Sequence, residues 1–173
     1  CCPPNLARLV ASIGHYLYAV SADAVFVNLY ASSSASLALG GVPVILEQQT
    51  AYPWDGSVRI EIKAEEAATF TLALRIPGWC RDFQLALNGA TVDARPVDGY
   101  VRLKNTWAPG DVIDLNLRMP VERMLAHPDV RQDAGLVALQ RGPVVYCAEE
   151  ADNGARLANL VLEDAAVLTP GVD

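Results

Sequence analysis

Apolar residues recur at two periods along this chain, and the change of period divides it. After Pro3-Pro4-Asn5, the residues Leu6, Leu9, Val10, Ile13, Leu17 and Val20 fall at steps of three and four, the spacing that lines one face of an α-helix. Proline suits the first turn, where its missing N–H has no partner to lose, and Asn5 or Cys2 is placed to cap it. From Ala24 onward the period is two. Val58, Ile60 and Ile62 alternate with Arg59, Glu61 and Lys63, which predicts a strand with one buried and one wet face. Phe70, Leu72, Leu74 and Ile76 repeat the pattern before Pro77-Gly78 stops it. Phe83, Leu85 and Leu87 lead into Asn88-Gly89, a dipeptide that tolerates the positive φ of a tight hairpin, with residues 91–93 returning.

Further strands follow. Val101 and Leu103, then Ile113, Leu115 and Leu117, flank a turn at Ala108-Pro109-Gly110-Asp111, and residues 121–127 read as a short turn or helix. A second β segment begins near Gly135, with residues 136–139 and 144–146 on either side of Arg141-Gly142-Pro143. Residues 31–36 are small and polar and read as a strand end or bend rather than a linker. The predicted fold is mainly β: an antiparallel, jelly-roll-like β-sandwich preceded by one α-helix.

Composition narrows the function classes. The 173 residues are 52% hydrophobic and 19% charged, the balance of a globular chain long enough to bury a core without disulfide staples. The net charge of -7 and the lack of a Lys/Arg cluster argue against nucleic acid and anionic membranes as partners. No apolar run reaches the length of a membrane helix, and nothing resembles a signal peptide. The start at Cys1 without Met, already within a helical pattern, and the end on an apolar run into Thr169-Pro170-Gly171 both read as those of a fragment. Cys1, Cys2, Cys80 and Cys147 are not spaced as a disulfide framework, which favours reduced thiols or metal ligands and a cytoplasmic setting.

The chemistry on offer is concentrated at the start. Cys1 and Cys2 stand at a helix N-terminus, where unpaired N–H groups and the helix dipole favour a thiolate. A thiolate is what zinc binds and also what covalent catalysis uses as a nucleophile. The competing reading is a pair of small buried hydrophobes. No other Cys or His stands at a ligand spacing, so a zinc site here needs ligands from outside the chain. His15 and His127 read as surface or satisfied histidines, and Cys80 and Cys147 as unreactive strand-end thiols. Tyr52, Trp54, Trp79, Tyr100 and Trp107 read either as a sugar-stacking platform or as lids on the core. Glu47, Glu149 and Glu150 have no visible carboxylate partner for glycosidase chemistry.

The string Cys1-Cys2-Pro3-Pro4-Asn5, followed by Arg8, Ala11-Ser12-Ile13 and Tyr16-Leu17-Tyr18, resembles the signature of glycoside hydrolase family 127. Asn28-Leu29-Tyr30, Arg75-Ile76-Pro77-Gly78-Trp79, Trp107 with Gly110-Asp111, and the run from Ala138 to Tyr146 resemble that family's further markers, in order. The resemblance implies that residues 1–20 end a catalytic (α/α)6 barrel, that 21–125 form a β-sandwich accessory domain, and that 126–173 begin a second, truncated β domain. It also implies a retaining β-L-arabinofuranosidase in which Cys1 is the catalytic nucleophile and Cys1 and Cys2 lie in the coordination sphere of zinc. The family's acid/base glutamate and its remaining zinc ligands, a glutamate and a cysteine, have no counterpart here. The chain alone is therefore expected to bind zinc weakly and to hydrolyse nothing. Its expected partner is an oligosaccharide or glycoside reached through the barrel, with a homodimer as a further expectation. The alternatives are a non-catalytic carbohydrate-binding module and a structural or dimerisation sandwich.

Overall fold

The computed structural model describes residues 2–39, 41–154 and 156–171, and the chain divides into two compact units, Cys1–Arg118 and Met119–Asp173. The first unit opens with α1 (Cys2–Ser12) and α2 (Gly14–Leu17), followed by β1 (Tyr18–Val20). The helical period read through Val20 therefore ends early. Gly14 opens a second, four-residue helix, and the Leu17 carbonyl accepts the N–H groups of Asn28 at 2.8 Å and Leu29 at 3.4 Å. That capture draws Tyr18, Ala19 and Val20 into register with Val27, Phe26 and Val25, so aromatic and β-branched residues at the helix end become a strand.

The remaining strands of this unit are β2 (Ala24–Val27), β3 (Ser33–Leu39), β4 (Val42–Thr50), β5 (Ser57–Ala64), β6 (Ala68–Arg75), β7 (Phe83–Leu87), β8 (Ala90–Thr91), β9 (Tyr100–Trp107) and β10 (Val112–Leu117). They form a four-stranded sheet in the order β1-β2-β6-β9 and a six-stranded sheet in the order β3-β4-β5-β10-β7-β8. Pairing is antiparallel except between β2 and β6, which run parallel. The inward residues of both sheets, among them Val25, Phe70, Leu72 and Trp107 from one and Leu46, Ile60, Ile113 and Leu115 from the other, make one buried cluster. A mainly β sandwich with a helix at its start is thus what the period-two pattern encodes: each strand buries alternate side chains against the facing sheet.

Two polar devices fix this sandwich. Gln48, buried on the inward face of β4, donates from Nε2 to the Ala31 carbonyl at 2.9 Å and to the Tyr18 hydroxyl at 3.2 Å. The Tyr18 hydroxyl also pairs with Ser33 Oγ at 2.9 Å, so one buried amide ties β1 of the first sheet to β3 and β4 of the second. The hairpin expected at Asn88-Gly89 joins β7 to β8, with φ of 49° and 81° at the two residues, as a type I′ turn requires. The Asn88 side chain locks it by accepting from the Val112 N–H at 2.8 Å and donating to Asp111 Oδ1 at 2.8 Å. Gly89→Ala is expected to cost about 1 kcal/mol, the penalty of a Cβ in left-handed backbone, and to lower the thermal midpoint of this unit. An unchanged midpoint in differential scanning calorimetry would show that this turn does not demand glycine.

The second unit contains β11 (Val121–Met124), β12 (Ala138–Arg141) and β13 (Val144–Tyr146), then α3 (Glu150–Asn153). The three strands form one antiparallel sheet in that order. Residues 121–127, expected as a turn or helix, thus begin with a strand. Val121-Glu122-Arg123-Met124 carries no clear alternation, and its pairing with β12 decides its state. Arg123 gathers the tail by donating to the carbonyls of Glu163, Asp164 and Ala166 at 2.8–2.9 Å.

Candidate functional site

Cys1 lies outside the described residues. Cys2 is the first residue of α1, with Pro3 and Pro4 in its first turn, so its thiol stands at the positive end of an eleven-residue helix. It is exposed and forms no disulfide. As a donor, a helix-terminal thiol is of the kind zinc takes, but among the described residues no group of three or more His, Cys, Asp or Glu side chains converges on one point. The donor present fits zinc in kind and supplies only part of a coordination sphere.

The helix behind Cys2 buries none of its residues. Leu6, Leu9, Val10 and Ile13 are 49–63% exposed, so the apolar face that the spacing predicted exists and stands uncovered in this chain. Contiguous exposed apolar surface of this kind marks a contact face.

Other titratable candidates fall away on their surroundings. His15 is exposed in α2, and the Nδ1 of His127, exposed in a turn, accepts the Asp129 N–H at 3.3 Å. Glu47 pairs with Lys63 across β4 and β5. The hydrogen bond and charge of that ammonium hold the carboxyl below the usual carboxylate range, which suits a surface ion pair and not an acid catalyst. Cys80 is half-buried and donates its S–H to the Asp82 carbonyl at 3.1 Å. Burial is the main cause that pushes its thiol up, against thiolate formation. With iodoacetamide near pH 8, Cys80 is therefore expected to alkylate more slowly than the exposed Cys147, as read by peptide mass mapping. The reverse order would contradict this placement.

The aromatic residues separate into lids and one exposed ring. Trp107 is fully buried, its Nε1–H donating to the Phe70 carbonyl at 3.0 Å. Trp79 stacks on Tyr52 at 6.4 Å between centroids, and Tyr52 meets Tyr30 edge-on at 5.9 Å. The Tyr30 hydroxyl donates to the Arg75 carbonyl at 2.7 Å, and the Tyr100 hydroxyl to Asn28 Oδ1 at 2.8 Å. These rings therefore do not form a shared platform. Trp54 differs: it is 72% exposed, on the turn after β4.

That turn borders a feature the sequence reading missed. The outward face of the six-stranded sheet carries an open groove of about 980 Å³. Strand register sets Gln49 beside Arg59, Arg59 beside Asp114, Asp114 beside Ala86, and Ala86 beside Thr91. In the adjacent row Asn116 lies between Ser57 and Gln84. Ala51, Asp55 and residues 92–94 flank this floor. Arg59 Nη1 holds both oxygens of Asp114, at 2.9 and 3.3 Å, with the two side chains about half-exposed, so the pair organises the surface more than it stabilises the fold. Period-two alternation marked these residues as the wet face, but lateral register, which brings them together, is not written in any single strand.

A helix bearing a cysteine at its head, a sandwich and a second β unit thus follow one another along the chain. Residues 24–119 match the family described as "Beta-L-arabinofuranosidase, GH127 middle domain", and residues 121–170 match the "Glycoside hydrolase family 127 C-terminal domain". The chain belongs to glycoside hydrolase family 127. It is 38% identical over 170 residues to a non-reducing end β-L-arabinofuranosidase of Bifidobacterium longum, covering 95% of this chain and 25% of that protein. A crystal structure of a GH127 β-L-arabinofuranosidase from Geobacillus stearothermophilus T6 superposes with a TM-score of 0.93 at 53% identity, over 96% of this chain and 27% of that one. A second solved structure, a GH127 β-arabinofuranosidase, gives 0.83 at 40% identity, over 88% and 26%. The chain thus spans about a quarter of the length of the relatives it matches.

Proposed function

We propose that this chain is the C-terminal part of a retaining, zinc-dependent glycoside hydrolase acting on β-L-arabinofuranosides, with Cys1 as nucleophile and Cys1 and Cys2 among the metal ligands. The observation that carries the reading is the cysteine at the head of an uncovered amphipathic helix, directly ahead of sandwich and C-terminal units that match glycoside hydrolase family 127. The helix is the last of the catalytic barrel, and its exposed apolar face is where the rest of that barrel packs.

In this reading, Cys1 Sγ attacks the anomeric carbon as the bond to the leaving oxygen breaks, and that oxygen takes its proton from an acid outside the chain. A carbon–sulfur bond replaces a carbon–oxygen bond. Water, losing a proton to the same group, then displaces the sulfur, and two inversions give net retention. Zinc, when bound, would keep the cysteines deprotonated and positioned. The role of this chain's own residues is to present the thiols: the prolines stand in the first turn of the helix that carries them, and α2 and β1 join that helix to the sandwich.

The test is hydrolysis of p-nitrophenyl β-L-arabinofuranoside by the complete protein. Release of nitrophenol from the β anomer and not from the α anomer is the expected result, and the isolated chain of residues 1–173 is expected to release none. Inactivity of the complete, zinc-loaded protein on the β anomer would contradict the sugar assignment.

A further inference from the structure

The groove on the six-stranded sheet takes no part in the chemistry proposed for the cysteines, and it has the make-up of a binding surface. Its floor joins charged, amide and hydroxyl side chains with the small apolar Ala86, so donors, acceptors and a patch for a C–H face lie side by side. Its charged lining is Arg59 against Asp55, Asp93 and Asp114, and Arg59 is held by Asp114 at 2.9 Å, so the excess charge is negative. Among the described residues of the lining the one cation, Arg59, is already engaged by Asp114, which disfavours a phosphate or a sulfate. Nor is it the dry surface that a helix or a second hydrophobic sheet would cover.

A row crossing β4, β5, β10, β7 and β8 spans roughly 19 Å at the usual strand spacing of about 4.8 Å. That width suits several linked sugar rings. Ala51 and Asp55 line one wall, and the turn between them bears the exposed Trp54, whose backbone N–H donates to the Ala51 carbonyl at 3.0 Å. An exposed indole on such a turn offers a stacking surface of the kind sugar rings use.

We propose that this face is an accessory site for a neutral oligosaccharide, bound through Gln84, Asn116 and the Arg59–Asp114 pair, with Trp54 on the turn that borders it. It holds a glycan chain near the enzyme and is independent of the residues that cleave it. The choice of an arabinose-based probe rests on the proposed function; the exclusion of an anionic ligand rests on the groove's negative excess.

The experiment is isothermal titration of the complete protein with α-linked arabino-oligosaccharides, which β-specific cleavage leaves intact, and with cello-oligosaccharides. The expected result is saturable binding of at least one of the two. The double variant Gln84→Ala/Asn116→Ala is expected to weaken it roughly tenfold or more through lost hydrogen bonds, and Trp54→Ala comparably through lost stacking. Lys104→Ala, on the outer face of the other sheet, is expected to leave it unchanged. Hydrolysis of the small aryl glycoside, measured in parallel, is expected to be the same in the groove variants. Absence of saturable binding, or binding indifferent to the groove substitutions, would overturn the proposal. So would a groove variant that lowers the thermal midpoint of a complete protein which binds neither glycan, since the surface is then covered by the rest of the longer chain. The aryl glycoside reports on the cysteine chemistry separately, so failure of one reading is distinguishable from failure of the other.

Discussion

Replacing Cys1 by serine in the complete protein is expected to reduce hydrolysis of p-nitrophenyl β-L-arabinofuranoside by roughly four orders of magnitude or more, the scale of losing a covalent nucleophile. The physical reason is protonation. A thiol beside a divalent cation is readily ionised near neutral pH, whereas a serine hydroxyl needs a strong general base. Serine is nearly isosteric, so the variant should keep its fold, as read by circular dichroism. Cys2→Ser separates the two roles proposed for the pair: it is expected to lower zinc content, read by a chromogenic chelator, along with activity. A Cys1→Ser enzyme keeping more than about a tenth of the wild-type rate would exclude the nucleophile assignment.

The largest expected loss of stability comes from Trp107→Ala. The indole is fully buried between the sheets, packs on Phe70 with centroids 5.8 Å apart, and donates to the Phe70 carbonyl at 3.0 Å. Truncation removes the burial and leaves a cavity in a packed interior, which together cost about 3–5 kcal/mol. Trp107→Phe keeps much of the packing but loses the indole hydrogen bond to the Phe70 carbonyl, at about 1 kcal/mol. Urea unfolding followed by the fluorescence of Trp54 and Trp79 is expected to rank the two variants in that order. A Trp107→Ala change under about 1 kcal/mol would mean that this end of the sandwich is already loose.

What the chain reveals of its fold follows from how local each signal is. Val58-Ile60-Ile62 and Phe70-Leu72-Leu74 state both strand and buried face, because alternation and burial share one period. Asn88-Gly89 states its turn, because few other pairs tolerate two positive φ values. The stretch from Tyr18 to Val20 misleads, since Leu17 and Val20 keep helical spacing while Tyr18 pairs with Val27 on a strand met later in the chain. The strand Val121–Met124 is hidden for a related reason: its burial pattern does not alternate, and only β12 gives it a partner. The parallel pairing of β2 with β6 is likewise non-local.

The candidate site was legible to the extent that it depends on neighbours in sequence. Cys2 at the head of a helix with prolines in its first turn is a local statement, and it stands as read. Whether Trp54, Trp79 and Trp107 make a platform depends on which sheet face each meets, and they scatter to a surface turn, a stacked lid and the core. The groove was not legible, because Gln49, Arg59, Asp114, Ala86 and Thr91 come from five strands and become a row only through register.

The most direct test of the central claim is the mass of the peptide containing Cys1 after the complete protein is quenched with acid during turnover of a β-L-arabinofuranoside. The account predicts that this peptide gains one anhydropentose unit on the Cys1 sulfur, and that the gain disappears once substrate is exhausted. An active enzyme whose Cys1 peptide stays unmodified throughout turnover, with the sugar found on another residue, would contradict it.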